Sequence, residues 1–150
     1  DWQIRRAEYW HVAQVEARIE QPLDAATRLK GRLDRIDARG AEQAILDYKT
    51  GYIPKQSDID SGEAVQLPFY ALLDPMPVAR VEYLKLDGER VQTKGVLEGE
   101  QLRELRDAIA ARLTATQAAL TAGAALPAWG DPDSCARCPM DGVCRRAAWE

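Results

Sequence analysis

The sequence predicts an α/β domain built from strand-turn-strand units and helices. Two dipeptides typical of tight turns, Gly40-Ala41 and Asp87-Gly88, each lie between two strand-like segments and predict two β-hairpins. Apolar residues recur at steps of three and four from about 100 to 122 and predict one long amphipathic helix. With 46% apolar and 29% charged residues, a chain of 150 residues can bury a real core.

The expected elements follow the chain in order, beginning with a short helix within residues 2–18. They continue with a strand at 15–23, hairpin strands at 29–39 and 43–49, a polar loop at 52–62, a helix at 63–73, strands at 78–86 and 90–97, and a helix at 100–122. Pro68 leaves the start of the 63–73 helix uncertain. The long helix should face the core with Leu102, Leu105, Ile109, Leu113, Thr116 and Leu120, and Gly123 should cap it.

The hairpin from Lys30 to Gly51 carries the first group of candidate functional residues. Its register places Asp34 across from Asp47, and strand alternation puts Asp47 and Lys49 on one face with Tyr48 turned the other way, into the core. Two opposed carboxylates repel each other unless a cation lies between them. Mg²⁺ is typically held by one or two carboxylates, so the pair is a candidate metal site. An ordinary solvated hairpin face remains the alternative.

The segments Gly31-Arg32-Leu33-Asp34-Arg35-Ile36-Asp37 and Ile45-Leu46-Asp47-Tyr48-Lys49-Thr50-Gly51 resemble the core of PD-(D/E)xK nucleases, and most of all the AddB/RecB nuclease domain. The resemblance implies a restriction-endonuclease-like core with a mixed β-sheet flanked by helices. It also implies hydrolysis of DNA, from ends, with Mg²⁺ or Mn²⁺ and beside a helicase subunit or domain in double-strand break repair. Asp34, Asp47 and the Tyr48 backbone carbonyl would hold the metal, and Lys49 would position the hydrolytic water.

Gln66 and Tyr70 form a second candidate pair. They are four residues apart, which places them on one helix face. They resemble the Gln-x-x-x-Tyr signature of the same nucleases, where the pair lies at the cleft and contacts substrate or braces catalytic residues. Simple helix amphipathicity is the alternative. His11 and Asp37 are weaker candidates for metal ligands, because His11 is a lone histidine and Asp37 should point to the opposite face from Asp34.

Three cysteines lie in the tail at 127–150, at Cys135, Cys138 and Cys144, with a spacing typical of metal ligands. The resemblance to AddB-type domains implies a [4Fe-4S] cluster that also needs a distant upstream cysteine. The sequence begins with Asp1, so we expect a C-terminal fragment of a larger protein in which the cluster and one further active-site ligand are incomplete. Zinc, with His11 as the fourth ligand, and an adventitious disulfide are the alternatives.

The net charge of -4 argues mildly against a protein that only coats nucleic acid. Basic residues are nevertheless dense in two groups. The first group is Arg28, Lys30, Arg32, Arg35 and Arg39, and the second is Arg137, Arg145 and Arg146. Each group is a candidate DNA contact or a solvated face. No targeting or membrane segment is visible, so a cytoplasmic protein is expected. A catalytically silent DNA-binding or scaffolding module and a zinc-stabilised interaction domain are the competing functions.

Overall fold

A computed structural model describes residues 2–25, 27–88, 90–125, 130 and 135–144. The chain divides into two compact units, Asp1–Thr114 and Ala115–Glu150. The first unit contains the sheet and every residue of the hairpin from Lys30 to Gly51, and the second contains the three cysteines. Within the described residues no helix is both long and apolar enough to cross a membrane.

The helices and strands follow the expected order with shifted ends. They are α1 Trp2–Ala7, β1 His11–Pro22, β2 Arg28–Arg39, β3 Glu42–Lys49, α2 Gln56–Asp60, α3 Gln66–Leu73, β4 Val78–Asp87, β5 Arg90–Glu98 and α4 Gly99–Thr121, with a further short helix at Asp141–Cys144.

The five strands form one sheet in the order β1-β2-β3-β4-β5. All neighbours are antiparallel except β3 and β4, which run parallel. A parallel pair needs a crossover connection, and α2 and α3 provide it between β3 and β4. The mixed sheet with flanking helices confirms the predicted fold class.

Both predicted hairpins are present. Arg39 pairs with Glu42, so Gly40 and Ala41 form the two-residue loop, and Gly40 has the positive φ of 60° that such a loop requires. In the second hairpin Asp87 still pairs with Arg90, so the loop lies one residue later than expected and includes Gly88, at φ 56°.

The main core lies on the sheet face that packs against α3. Its fully buried side chains come from β2, β3, β4, β5 and the helices: Leu33, Ile36, Ile45, Ile59, Leu67, Leu73, Val81, Tyr83, Leu97 and Leu102. A smaller cluster of Ala44, Leu46 and Leu84 occupies the opposite face, where Trp2 and Trp10 pack against it. Burying each large apolar side chain contributes about 1.5–3 kcal/mol, so the α3 face holds most of the packing energy.

Several sequence expectations are corrected. The loop predicted at 52–62 contains α2, whose Ile59 is fully buried. Helix α3 begins at Gln66 instead of 63, and Pro68 lies in its first turn, where a missing backbone N–H costs little. The row of apolar residues predicted to face the core along α4 is buried only near the start of the helix: Leu102 is 1% exposed, whereas Leu120 is 40% exposed.

Candidate active site

The end of β3 places a carboxylate and an amine side by side. Asp47 and Lys49 lie on the sheet face that carries Ile45 and the main core. The Asp47 side chain is buried, and its Oδ2 atom lies 2.7 Å from Lys49 Nζ. The Lys49 side chain is 27% exposed, so its ammonium lies at the boundary between core and solvent.

Asp34 reaches the same region from β2. The ladder pairs Arg35 with Leu46, and its continuation places Asp34 across from Asp47, as the sequence predicts. Asp34 Oδ2 accepts a hydrogen bond of 2.8 Å from the Tyr48 backbone N–H. The structure therefore brings Asp34, Asp47 and Lys49 together.

Gln66 and Tyr70 contact Asp47 from the first two turns of α3. Gln66 Nε2 donates to Asp47 Oδ1 at 3.2 Å and to the Tyr70 hydroxyl at 2.7 Å. The Tyr70 hydroxyl donates to the same Asp47 oxygen at 3.3 Å. The helix face that the sequence pattern singles out thus holds two hydrogen-bond donors against the buried carboxylate.

Sequence reasoning did not single out Tyr83. Tyr83 lies in β4 and is 1% exposed. Its hydroxyl donates to Gln66 Oε1 at 3.1 Å, and its ring centroid lies 5.4 Å from Lys49 Nζ. The available signal was chemical: a tyrosine inside an apolar strand must find a partner for its hydroxyl.

The electrostatics of the site disfavour the charge on Asp47. Burial raises the pKa of Asp47, the Lys49 ammonium lowers it, and the Asp34 charge raises it again, with a net increase from the ordinary value of 3.8. Burial likewise raises the pKa of Tyr70. Asp47 therefore lies where a second positive charge would be favourable.

The residues present fit a hard divalent cation. Asp47 Oδ2 is buried, and the Lys49 ammonium at 2.7 Å is its one polar partner among the described residues. Two carboxylates on neighbouring strands are the donor set that Mg²⁺ takes when waters and substrate oxygens complete its shell. Among the described residues no group of three or more His, Cys, Asp or Glu side chains is close enough to bind a metal.

Two further candidate ligands, His11 and Asp37, lie elsewhere. His11 is exposed at the start of β1 and pairs with Ala38, four residues along β2 from Asp34. Asp37 is fully buried in ion pairs with Arg6 and Arg35. The structure does not bring either residue to Asp34 and Asp47.

The expected burial of Tyr48 is wrong. Its side chain is 36% exposed and lines a cavity of about 770 Å³ together with Trp2 and Leu84. The strand alternation that turns Tyr48 away from Asp47 was predicted correctly. On that face of the sheet, however, the described residues leave the Tyr48 side chain partly exposed to solvent.

Each cation of the basic cluster at 28–39 forms an ion pair with a carboxylate of the chain, and all but Arg35 do so on the solvent-exposed surface. Arg28 and Lys30 pair with Glu20, Arg32 with Glu16, Arg35 with Asp37 and Arg39 with Glu42. Arg137 is exposed, and Arg145 and Arg146 lie outside the described residues.

A different basic surface lies beyond the end of β3. We call it the lysine groove: a depression of about 420 Å³ lined by Lys55, Lys85 and Lys94, with Gly51, Ile53, Pro54, Gln56 and Gly95. Lys85 pairs across the sheet with Lys49, so the groove begins one strand away from the carboxylates. Its lysines are far apart in sequence, which is why no local charge pattern indicated it.

The cysteines belong to the second unit. Cys135 is half-buried, Cys138 and Cys144 are exposed, and none is in a disulfide within the described residues. The Met140 N–H donates to Cys138 Sγ at 3.4 Å. The three thiols are not gathered into a metal-binding group among the described residues, so as placed they do not fit a cluster.

A mixed sheet that presents one aspartate, an Asp-x-Lys pair and a supporting Gln-x-x-x-Tyr helix defines a class of protein, the metal-dependent nucleases. The PD-(D/E)XK nuclease superfamily matches residues 1–145, and the chain belongs to that superfamily. No curated protein matches the chain. Members of the superfamily are typically metal-dependent phosphodiesterases, which agrees with the donor set around Asp47.

Proposed function

We propose that this chain is the nuclease domain of a DNA-hydrolysing enzyme that uses Mg²⁺ or Mn²⁺. The observation that carries the proposal is the position of Asp47. It is buried beside Lys49, held by two donors from α3, and opposed across the strand pair by Asp34. A structural sheet gains nothing from this arrangement, because two neighbouring carboxylates repel each other.

Each residue has a proposed role. Asp34 and Asp47, assisted by the Tyr48 backbone carbonyl, hold the cation, which when bound makes a water more acidic and neutralises phosphate charge. Lys49 orients the attacking water and stabilises the negative charge that develops on the phosphate oxygens. Gln66 and Tyr70 hold Asp47 in place and steady the nucleic acid strand at the cleft.

The direct test is the cleavage of linear DNA by Asp47→Ala and Lys49→Ala in the presence of Mg²⁺ and of EDTA. We expect both variants to lose cleavage while they keep fold and DNA binding. Lys30→Ala is the matched control, because Lys30 is 70% exposed and pairs only with Glu20 among the described residues. Undiminished cleavage by both site variants would remove the assignment.

The lysine groove supports DNA as the substrate. Lys55 and Lys94 are exposed, and the Lys85 ammonium donates to the backbone carbonyls of Thr50 and Gly51 at 2.7 Å, which fixes the segment after Lys49. Phosphate contacts supply most of the sequence-independent affinity for DNA. We propose that the backbone of the strand runs from the carboxylates into this groove.

The narrower assignment to the AddB/RecB type remains a proposal supported by the order of the sequence motifs. It implies a cytoplasmic protein that degrades DNA from ends beside a helicase during double-strand break repair. Comparing linear with covalently closed circular DNA tests the dependence on ends. Co-purification of a helicase with the intact protein from its own cells tests the partnership, and equal cleavage of both DNA forms would contradict the end-directed activity.

A [4Fe-4S] cluster in the intact protein also remains a proposal, and it rests on the spacing of Cys135, Cys138 and Cys144 alone. Three thiolates are one fewer than such clusters usually take. Iron and sulfide analysis of anaerobically purified intact protein distinguishes the cluster from zinc. Stoichiometric zinc without iron would instead favour the zinc-stabilised interaction domain.

A catalytically silent module with the same fold is the second candidate function, and the exposed Tyr48 side chain beside a cavity of about 770 Å³ is compatible with a scaffolding role. It predicts no Mg²⁺-dependent cleavage and no metal binding that depends on Asp34. Calorimetric titration of Mn²⁺ into the wild-type protein and into Asp34→Asn separates the two functions.

A further inference from the structure

The orientation of the Gln66 side-chain amide determines how Asp47 presents its two oxygens. An ionised carboxylate only accepts hydrogen bonds, so Gln66 must turn its Nε2 group toward Asp47. The structure has this orientation, with Nε2 at 3.2 Å from Asp47 Oδ1 and Oε1 at 3.1 Å from the Tyr83 hydroxyl. The reversed amide would place one acceptor, Gln66 Oε1, against another, Asp47 Oδ1.

Tyr83 favours the observed orientation because its hydroxyl donates to Gln66 Oε1. The ring itself is held firmly: it is 1% exposed in β4 and packs against Gly95 of β5. Gly95 has φ 72°, and a Cβ atom there would lie 3.1 Å from Tyr83 Cδ2 and 2.5 Å from Ile59 Cδ1. The hydroxyl therefore sits at a fixed point on a rigid part of the core.

The consequence for Asp47 is an asymmetry between its oxygens. Oδ1 accepts hydrogen bonds from Gln66 Nε2 and from the Tyr70 hydroxyl, at 3.2 and 3.3 Å. Oδ2 faces the Lys49 ammonium at 2.7 Å and has no second donor among the described residues. An oxygen that already accepts two hydrogen bonds has little lone-pair density left for a cation.

We infer that Tyr83 is a positioning residue of the active site: through Gln66 it commits Asp47 Oδ1 to hydrogen bonds and leaves Oδ2 as the atom that meets the divalent cation. The inference rests on the proposed function, because it names the ligand atom of the same metal site. Tyr83 is the ladder partner of Asp47 on β4, but its hydroxyl donates to Gln66 Oε1, so the proposed effect on Asp47 passes through the Gln66 amide.

The test measures Mn²⁺ affinity by calorimetry, without DNA, for the wild-type protein and Tyr83→Phe. Phenylalanine keeps the ring against Gly95 and removes only the hydroxyl. We expect binding to weaken about tenfold, in line with the loss of other groups that orient metal ligands. Tyr52→Phe, at a position 77% exposed, is the matched control and should bind as the wild type does. Unchanged Mn²⁺ affinity in Tyr83→Phe, even with a lowered melting temperature, would show a merely structural role and overturn the inference.

A double-mutant cycle tests whether Tyr83 works through Gln66. In the Gln66→Met background, which lacks the amide, Tyr83→Phe should cause no further loss of Mn²⁺ affinity. Additive losses would overturn the inference. Gln66→Met also serves as the second variant if Tyr83→Phe does not fold, because unaltered Mn²⁺ binding by Gln66→Met alone would contradict the role given to the amide.

A third measurement keeps this inference distinct from the proposed function. The side-chain NH₂ resonances of Gln66, recorded by NMR in the metal-free protein, should differ between wild type and Tyr83→Phe because the amide loses its fixed orientation. If the wild-type protein binds no Mn²⁺, the proposed function fails, and so does the claim that Asp47 Oδ2 is the atom for the cation. If it binds Mn²⁺ and the Gln66 resonances are insensitive to Tyr83→Phe, the inference alone fails.

Discussion

Asp34 Oδ2 accepts a hydrogen bond of 2.8 Å from the backbone N–H of Tyr48, just beyond the last paired residues of β2 and β3, Arg35 and Leu46. This side-chain hydrogen bond adds one contact between β2 and β3 beyond the last pair of the backbone ladder. The hydrogen bond also fixes the orientation of Asp34, and under the proposed function it leaves Oδ1 as the oxygen for the cation.

Asp34→Asn should separate these two roles. An asparagine oxygen can still accept the Tyr48 N–H, so the melting temperature should stay close to that of the wild type. Mn²⁺ affinity measured by calorimetry should fall by on the order of tenfold or more, since one of two ligand charges is gone. Asp34→Ala loses the hydrogen bond as well and should be destabilised by about 1 kcal/mol. Equal Mn²⁺ affinity in Asp34→Asn and wild type would contradict the role of Asp34.

Asp47→Asn should stabilise the metal-free protein while it abolishes cleavage. Burial raises the pKa of Asp47 above 3.8, so the folded state holds the proton more tightly than the unfolded state does. The stability that Asp47 contributes is therefore present below its unfolded pKa and is lost as pH rises through the raised folded value. At neutral pH the ionised carboxylate therefore costs free energy that asparagine avoids.

Thermal unfolding in EDTA at a series of pH values checks this. The melting temperature of Asp47→Asn minus that of the wild type should be small near pH 4 and should grow toward pH 7. Adding Mn²⁺ at pH 7 should raise the wild-type melting temperature and leave the variant unchanged. A variant less stable than the wild type at pH 7 without metal would contradict the electrostatic account.

The lysine groove predicts the salt dependence of DNA binding. The double variant Lys55→Gln/Lys94→Gln should bind DNA more weakly, with the slope of log affinity against log salt reduced by about 1 to 2, one phosphate contact for each lysine. Binding is measured with Ca²⁺ in place of Mg²⁺ so that the DNA stays intact. Arg28→Gln/Lys30→Gln removes the same charge from a surface already paired with Glu20 and is the matched control. Equal slopes for the two double variants would exclude the groove as the path of the strand.

The sequence predicted the parts of the site that depend on local rules. Turn chemistry at Gly40 fixed the hairpin register, strand alternation placed Asp47 with Lys49, and the four-residue step joined Gln66 to Tyr70. It could not predict Tyr83, because the parallel pairing of β4 with β3 is a non-local contact that no local pattern encodes. The lysine groove and the internal pairing of the Arg28–Arg39 cations escaped prediction for the same reason: charge density along a chain does not say which partners the fold supplies.

The face of the sheet opposite to the carboxylates depends on Arg6, another contact that the sequence pattern did not indicate. The Arg6 side chain is 8% exposed and pairs with both Asp37 of β2 and Glu82 of β4, the strands on either side of β3. Its guanidinium also lies 5.2 Å from the ring centroid of Trp2. Arg6 therefore ties α1 to the two strands that flank Asp47 and Lys49.

Arg6→Ala should leave two buried carboxylates with one partner fewer each. Breaking a buried ion pair from one side costs about 3–5 kcal/mol, and because Asp37 keeps Arg35 and Glu82 keeps Arg80, we expect the lower end, about 3 kcal/mol of unfolding free energy. Arg5→Ala, which removes an exposed arginine from the same helix, should change stability by less than about 0.5 kcal/mol. Urea unfolding of the two variants measures the difference. Equal destabilisation of Arg6→Ala and Arg5→Ala would show that the ion pairs do not hold α1 in place.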